Sequence, residues 1–243
     1  MKQCIIGNLS PLDYTGEESL NTICANLLFA GRDKKVFIVT SCTASEGKSH
    51  TVMHIARNLA ERGRRICIVD ADLRRSMNVS TYRIRTEDGS PWTGLAHYLA
   101  GYNEMPEVVY QTNIPRLYFI PIGRELVNPI RLLDTEDFND LLRRLAKEFD
   151  MVLIDAPPVG VVVDAAVIAS RCDGCIFVIE YNKTHRREIN AAQRQIENSG
   201  CPMLGCILNK VDVNSLSSKH YYNRSYRSHY YSNYYKKDKD KRK

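Results

Sequence analysis

The chain has 243 residues, 44% of them hydrophobic, which suits one α/β domain of ordinary size with its own core and a short tail. No apolar run approaches the ~20 residues that span a bilayer, and the N-terminus MKQCIIGNLSPLDY lacks the apolar stretch of a signal peptide, so a cytoplasmic protein is expected. The net charge of +6 is uneven: residues 214–243 hold nine Lys/Arg and two Asp, which leaves residues 1–213 at −1 and excludes a broadly basic, nucleic-acid-coating domain.

Residues 1–14 read as an extended lead-in. A helix is expected to about Phe29, with Leu20, Ile23, Cys24 and Leu27 at helical spacing on one apolar face. Val36-Phe37-Ile38-Val39 is an apolar, largely β-branched run that predicts a buried strand. A polar loop over 41–47 follows, then Lys48-Ser49 and a helix to Glu61 with Val52, Ile55, Ala56 and Leu59 as its buried stripe. Strand, loop and helix around Gly-Lys-Ser is the setting of a phosphate-binding loop. Such a loop turns a row of backbone N–H groups toward concentrated negative charge, and the helix N-terminus adds its positive dipole end. Ser45, Glu46, Gly47, Lys48, Ser49 and His50 are therefore candidate nucleotide contacts. Lys48 can reach β- and γ-phosphate oxygens, and the Ser49 hydroxyl can coordinate Mg²⁺. One departure is plain: the first Gly of G-x-x-x-x-G-K-[ST] is Cys42.

The run RICIVD, 65–70, predicts the next buried strand, so that strand, helix and strand make a βαβ unit of a parallel sheet. Asp70-Ala71-Asp72-Leu73-Arg74-Arg75 falls at its C-terminal end, the edge where open α/β sheets bind ligands. Residues 76–93 read as an irregular loop, 94–100 as a short helix, 117–122 as a strand and 134–149 as a periodic helix. Met151-Val152-Leu153-Ile154-Asp155 has the Walker B pattern, an apolar strand that delivers one carboxylate to a Mg²⁺ shell. Further helices are expected over 161–170 and 186–199, with strands over 175–181 and 203–209. The alternation predicts a P-loop NTPase-type, mostly parallel sheet with helices on both faces. Cys67 and Cys206 are expected as small hydrophobes in buried strands, and Cys172-Asp-Gly-Cys175 as a turn into a strand rather than a metal site. Asn209-Lys210-Val211-Asp212 has the look of a base-reading N-K-x-D, with Asn209 facing adenine.

Residues 216–243 carry almost no aliphatics, and seven tyrosines fall within fifteen positions: Tyr221, Tyr222, Tyr226, Tyr230, Tyr231, Tyr234 and Tyr235. By composition this is a disordered tail.

The segments TSCTASEGKS (40–49), IVDADLRRS (68–76), NPIRLLDTEDF (128–138), VLIDAPPV (152–159) and GCILNKVD (205–212), with the tyrosine cluster, resemble the bacterial tyrosine kinases. More narrowly, the chain is similar to the cytoplasmic tyrosine autokinases of capsule and exopolysaccharide synthesis. The resemblance implies an ATP- and Mg²⁺-dependent protein-tyrosine autokinase. Lys48 would hold the β- and γ-phosphates, and Ser49, Asp72 and Asp155 would bind Mg²⁺. Asp70 would accept the tyrosine proton, and Arg74 and Arg75 would neutralise phosphate charge. The tail tyrosines would be the phosphoacceptors, modified in trans. A flexible 28-residue segment averages ~30 Å end to end and reaches at most ~90 Å, enough to enter a neighbour's site.

The implied layout is an N-terminal lead-in and helix over 1–33 for contact with another copy or an adaptor, a kinase domain over 34–213 and the tyrosine tail over 214–243. The implied partners are a membrane adaptor and chain-length regulator of polysaccharide export and a cognate tyrosine phosphatase, with the kinase held at the inner face of the membrane. Asn21 and Cys24 stand where the family usually has the Arg residues that touch the next subunit, so a weakened homo-oligomer is expected. Ala44-Ser45 stand where Pro-Gly is common, and a Cβ resists a positive φ there. Rival expectations are a partitioning or positioning ATPase switch, an iron–sulfur scaffold ATPase using Cys172 and Cys175, and a non-enzymatic ATP-binding regulator. Against the first stands Thr43, at the position where such ATPases carry an extra Lys.

Overall fold

The computed structural model describes residues 2–30 and 33–212. The lead-in is a strand, β1 (Lys2–Ile5), followed by helix α1 (Tyr14–Ala30). Then come β2 (Val36–Ser41), α2 (Lys48–Glu61) and β3 (Ile66–Asp70). The middle of the chain holds short pieces: α3 (Asn78–Thr81), β4 (Arg85–Thr86), α4 (Leu95–Leu99), α5 (Met105–Val108), β5 (Tyr110–Thr112) and β6 (Leu117–Ile120). Helices α6 (Ile130–Leu133) and α7 (Glu136–Glu148) lead to β7 (Met151–Asp155). The chain then runs through α8 (Asp164–Ala169), β8 (Gly174–Glu180), α9 (Arg186–Asn198) and β9 (Met203–Asn209).

Among the described residues the nine strands form one sheet in the order β4-β1-β5-β6-β3-β7-β2-β8-β9. Every pairing is parallel except β1 with β4 and β5 with β6. The central strands β2, β3 and β7 are buried at every residue, the pattern of strands covered on both faces. Their side chains alternate between two cores. Val36, Ile38, Val69, Ile154 and Phe177 pack with Phe138, Leu141, Leu145 and Ile168 on one face. Phe37, Val39, Ile68, Leu153 and Val178 pack with Val52, Ile55 and Leu59 of α2 and Leu20 and Leu27 of α1 on the other.

Three expectations are corrected here. The lead-in is a paired strand, because β5 and β4 take its backbone groups on either side. Residues 76–93 are not simply a loop: they hold α3 and β4, and Tyr82 and Ile84 are buried with β1 residues. Cys206 is exposed, because β9 is a sheet edge rather than a covered strand. The tyrosine cluster and the proposed 214–243 tail lie outside the described residues. No helix of the described residues is long and apolar enough to cross a membrane.

Phe138 of α7 has no exposed surface, whereas Val127 is 96% exposed. Phe138→Ala should cost about 3–5 kcal/mol in urea unfolding, and Val127→Ala should stay within about 0.5 kcal/mol.

Candidate active site

The C-terminal edge of the sheet gathers the chemistry. β2 runs into the 42–47 loop, β3 ends at Asp70, β7 ends at Asp155, and β9 ends at Asn209. The loop is fastened from several sides. Ser41 Oγ donates to the Thr43 carbonyl at 2.7 Å, and the Thr43 N–H donates to Glu46 Oε2 at 2.7 Å. Glu46 is fully buried, and its Oε1 accepts from the Glu180 N–H and the Thr184 hydroxyl. Asn209 Nδ2 donates to the Glu46 carbonyl at 2.9 Å, and Lys210 Nζ donates to the Ser45 carbonyl at 2.7 Å. Gly47 has φ 96°, and a Cβ there would lie 2.0 Å from Asn209 Nδ2, so only glycine fits. Ser45 is held at φ 65°, the conformation its Cβ resists. Cys42 is buried, and its carbonyl oxygen would lie 2.3 Å from a Cβ on Gly160, so the loop and the segment after β7 meet backbone to backbone.

Behind the loop, Asp70 and Asp155 are direct neighbours in the β3–β7 register. Asp70 has no exposed surface and Asp155 almost none. Ser76 Oγ donates to Asp70 Oδ2, and Asn78 Nδ2 donates to Asp155 Oδ2 at 2.8 Å. Ser49 is near enough to Asp155 to lower its proton affinity. Burial pushes both carboxyls up, and for Asp70 the neighbouring Asp155 adds to the rise. Asp72 is raised by burial and is only partly enclosed, and the Arg75 N–H donates to its Oδ1 at 3.2 Å. Lys48, 8% exposed, is close enough to lower the proton affinity of both Asp72 and Asp155.

Lys48, Ser49, Asp70, Asp72 and Asp155 thus come together as the sequence predicts. Other residues sit differently. Arg74 forms a two-point pair with the buried Asp164, Nε to Oδ2 at 2.6 Å and Nη2 to Oδ1 at 3.0 Å, so it is taken by the protein and not free for phosphate. The His50 side chain pairs with His54, Nε2 to Nε2 at 3.1 Å, on one face of α2. Burial lowers both, His54 to about 4 with help from His50 and Arg57. Asn209 anchors the loop, which is a different use of its amide from reading a base. Asn21 accepts from Asn58 and Arg62 of α2 and its following turn, and Cys24 is buried. Cys172 donates to the Ile168 carbonyl at 3.2 Å, and Cys175 lies in the core.

Ser76, Asn78, Asp164 and the Glu46 side chain were not assigned roles from sequence. Ser76 closes the DADLRRS segment, but a lone serine carries no signal of its partner. Asn78 and Asp164 belong to no motif, and their roles follow from contacts across 77 and 90 positions of chain.

Three buried acceptor oxygens in this cluster have no hydrogen-bond partner: Asp70 Oδ1, Asp155 Oδ1 and Asn78 Oδ1. Uncompensated acceptors of this kind fit a cation. Among the described residues no three His, Cys, Asp or Glu are arranged to hold a metal alone. Mg²⁺ commonly takes one or two carboxylates and completes its shell with water and substrate phosphate.

A family model described as an AAA domain matches residues 34–197. The tyrosine-protein kinase CpsD of Streptococcus agalactiae is 38% identical over 196 residues, 81% of this chain and 84% of its own length. The solved kinase domain of the Escherichia coli tyrosine kinase ETK superposes with a TM-score of 0.73 at 28% identity, over 80% of this chain and 75% of that one. A septum site-determining protein MinD from Pyrococcus horikoshii, complexed with Mg-ADP, has a TM-score of 0.61 at 21% identity over 74% of this chain and 72% of its own, a likeness of fold alone.

A carboxyl whose proton affinity is raised by folding binds its proton more tightly in the folded chain. Its contribution is full below the ordinary value of 3.8 and is lost as pH rises through the folded value, about 8 for Asp70. With no nucleotide or metal added, the melting midpoint should therefore fall as pH rises through this window, and Asp70→Asn should flatten the decline. Equal slopes in calorimetry would contradict the buried pair's raised proton affinity.

Proposed function

This chain belongs to the bacterial tyrosine-protein kinases, and we propose that it phosphorylates the tyrosine cluster of a second copy of itself, using ATP and Mg²⁺, to regulate capsular or extracellular polysaccharide synthesis and export. The enzyme is a P-loop protein-tyrosine kinase: ATP and a protein tyrosine give ADP and phosphotyrosine. The observation that carries the finer reading is the convergence of Lys48, Ser49 and three aspartates under a glycine-turned loop, in a chain whose 221–235 stretch holds seven tyrosines.

Lys48 holds the β- and γ-phosphates, aided by backbone N–H groups over 45–50 and the N-terminal end of α2. Ser49, Asp72 and Asp155 hold Mg²⁺, which when bound neutralises charge on the β- and γ-phosphates. Asp70 takes the proton of the attacking tyrosine. A phenol has a pKa of ~10, so a carboxyl pushed up by burial is a better matched base than an ordinary one. Asp70 is enclosed, and tyrosine contact requires the Ser76 hydroxyl to leave its Oδ2. Arg75, exposed beside Asp72, is the remaining candidate for phosphate charge, since Arg74 is committed to Asp164. Asn209 reads the base with what its amide retains beyond the Glu46 bond.

A membrane adaptor supplies an activating cytoplasmic segment and holds the kinase at the inner face of the membrane, and a cognate tyrosine phosphatase reverses the reaction. Strain at Ser45 supports low intrinsic activity without that partner. The intramolecular contacts of Asn21 and the burial of Cys24 support a weak homo-oligomer. The positioning-ATPase reading rests on fold likeness alone, and Thr43 speaks against it.

Purified chain with ATP and Mg²⁺ should give a phosphotyrosine signal that rises when the adaptor's cytoplasmic segment is added. Lys48→Met should lower it by about 100-fold or more, and deletion of 221–235 should abolish it. Signal that survives either change overturns the reading.

A further inference from the structure

The cover over the carboxylate pair points to residues with no assigned role. Asn78 is 3% exposed and opens α3, directly after the Ser76 contact. Its Nδ2 donates to Asp155 Oδ2, while its own Oδ1 is buried without a partner. The Asn78 backbone N–H in turn donates to Ser76 Oγ at 3.2 Å, and Ser76 Oγ donates to Asp70 Oδ2. One short segment therefore holds one oxygen of each carboxylate and leaves the other oxygen of each unbonded.

A buried amide with its donor used and its acceptor empty is an unusual arrangement, because an unmade buried hydrogen bond costs about 1–3 kcal/mol. Had Asn78 served packing alone, an apolar side chain of similar volume would avoid that cost. With both carboxyls ionised the three empty oxygens are all acceptors, and they sit in one bonded cluster. The guest they suit is a donor-rich cation, a hydrated divalent ion rather than an anion or an apolar group.

We propose that Asn78 is a positioning residue for the divalent cation of the kinase site: its Nδ2 orients Asp155, and its Oδ1 accepts from a water of the hydrated ion, with Ser76 holding Asp70 in the same clip. This deepens, and rests on, the reading of the site as one for ATP and Mg²⁺. Groups that hold a metal ligand from outside its shell commonly change metal affinity by 10–100-fold when removed. The effect belongs to metal-dependent nucleotide affinity, which can be read without turnover.

The test measures ADP affinity of the full chain by calorimetry in EDTA and across a Mg²⁺ titration. In the wild-type chain Mg²⁺ should tighten ADP binding. In Asn78→Ala the ratio of affinities with and without Mg²⁺ should drop about tenfold or more, with the Mg²⁺ midpoint moved up to match. Should Asn78→Ala fail to fold, Asn78→Leu fills the same volume with neither donor nor acceptor and should show the same loss. A folded variant with the wild-type ratio overturns the role of Asn78. A wild-type chain whose ADP affinity ignores Mg²⁺ overturns the Mg–nucleotide reading itself.

Discussion

Two aspartates that cannot reach water constrain this structure more than any other feature. Parallel pairing of β3 with β7 sets Asp70 opposite Asp155, and the sheet's covered centre buries both. Burial raises the proton affinity of both carboxyls, and for Asp70 the like charge of Asp155 adds to the rise. The surroundings read as responses to that cost. Lys48 supplies positive charge from the start of α2, Ser49 stands near Asp155, Asn78 donates to Asp155, and Ser76 donates to Asp70. The oxygens still unbonded are the ones the proposed cation would neutralise. A site of this kind is poor at stabilising the fold on its own and well suited to binding a ligand that neutralises it.

The phosphate loop must hold its shape beside this charge, and it does so with side chains rather than with the usual glycines. Glu46 is buried inside the loop's own arc and bonded to β8 and the turn after it. Asn209 and Lys210, from the end of the last strand, grip two successive carbonyls. These ties hold Ser45 at its left-handed φ and let Cys42 stand where a glycine is expected, against Gly160 across the way. The last strand thus reaches the loop directly.

Much of this was legible in the sequence, for a physical reason. Strands such as Val36–Ser41 and Met151–Asp155 are buried on both faces, so every residue reports its environment, and the polar residue that ends each run marks the functional edge. Gly47-Lys48-Ser49 after the first run, and the acids at or just past the ends of two others, single out Lys48, Ser49, Asp70, Asp72 and Asp155, which the structure gathers at one edge of the sheet. What was missed depends on distant partners. Lys2–Ile5 is a strand only because β4 and β5 flank it. Arg74 looked free until Asp164, ninety positions on, took its guanidinium. Cys206 looked buried because its run is apolar, yet an edge strand leaves it exposed. Asn78 lies in a polar stretch that gives no sign of the carboxylate it holds.

A buried carboxylate pair with unbonded oxygens, a loop fastened around Lys48 and a sequence with seven tyrosines over 221–235 are the features on which the proposed transfer between copies rests. The most direct test mixes a Lys48→Met chain with its tail intact and a chain that keeps Lys48 but lacks residues 221–235, then locates phosphate by mass spectrometry. Phosphotyrosine between Tyr221 and Tyr235 of the Lys48→Met chain is the expected result. No phosphate on that chain, under conditions where the unaltered protein labels itself, would contradict transfer between copies.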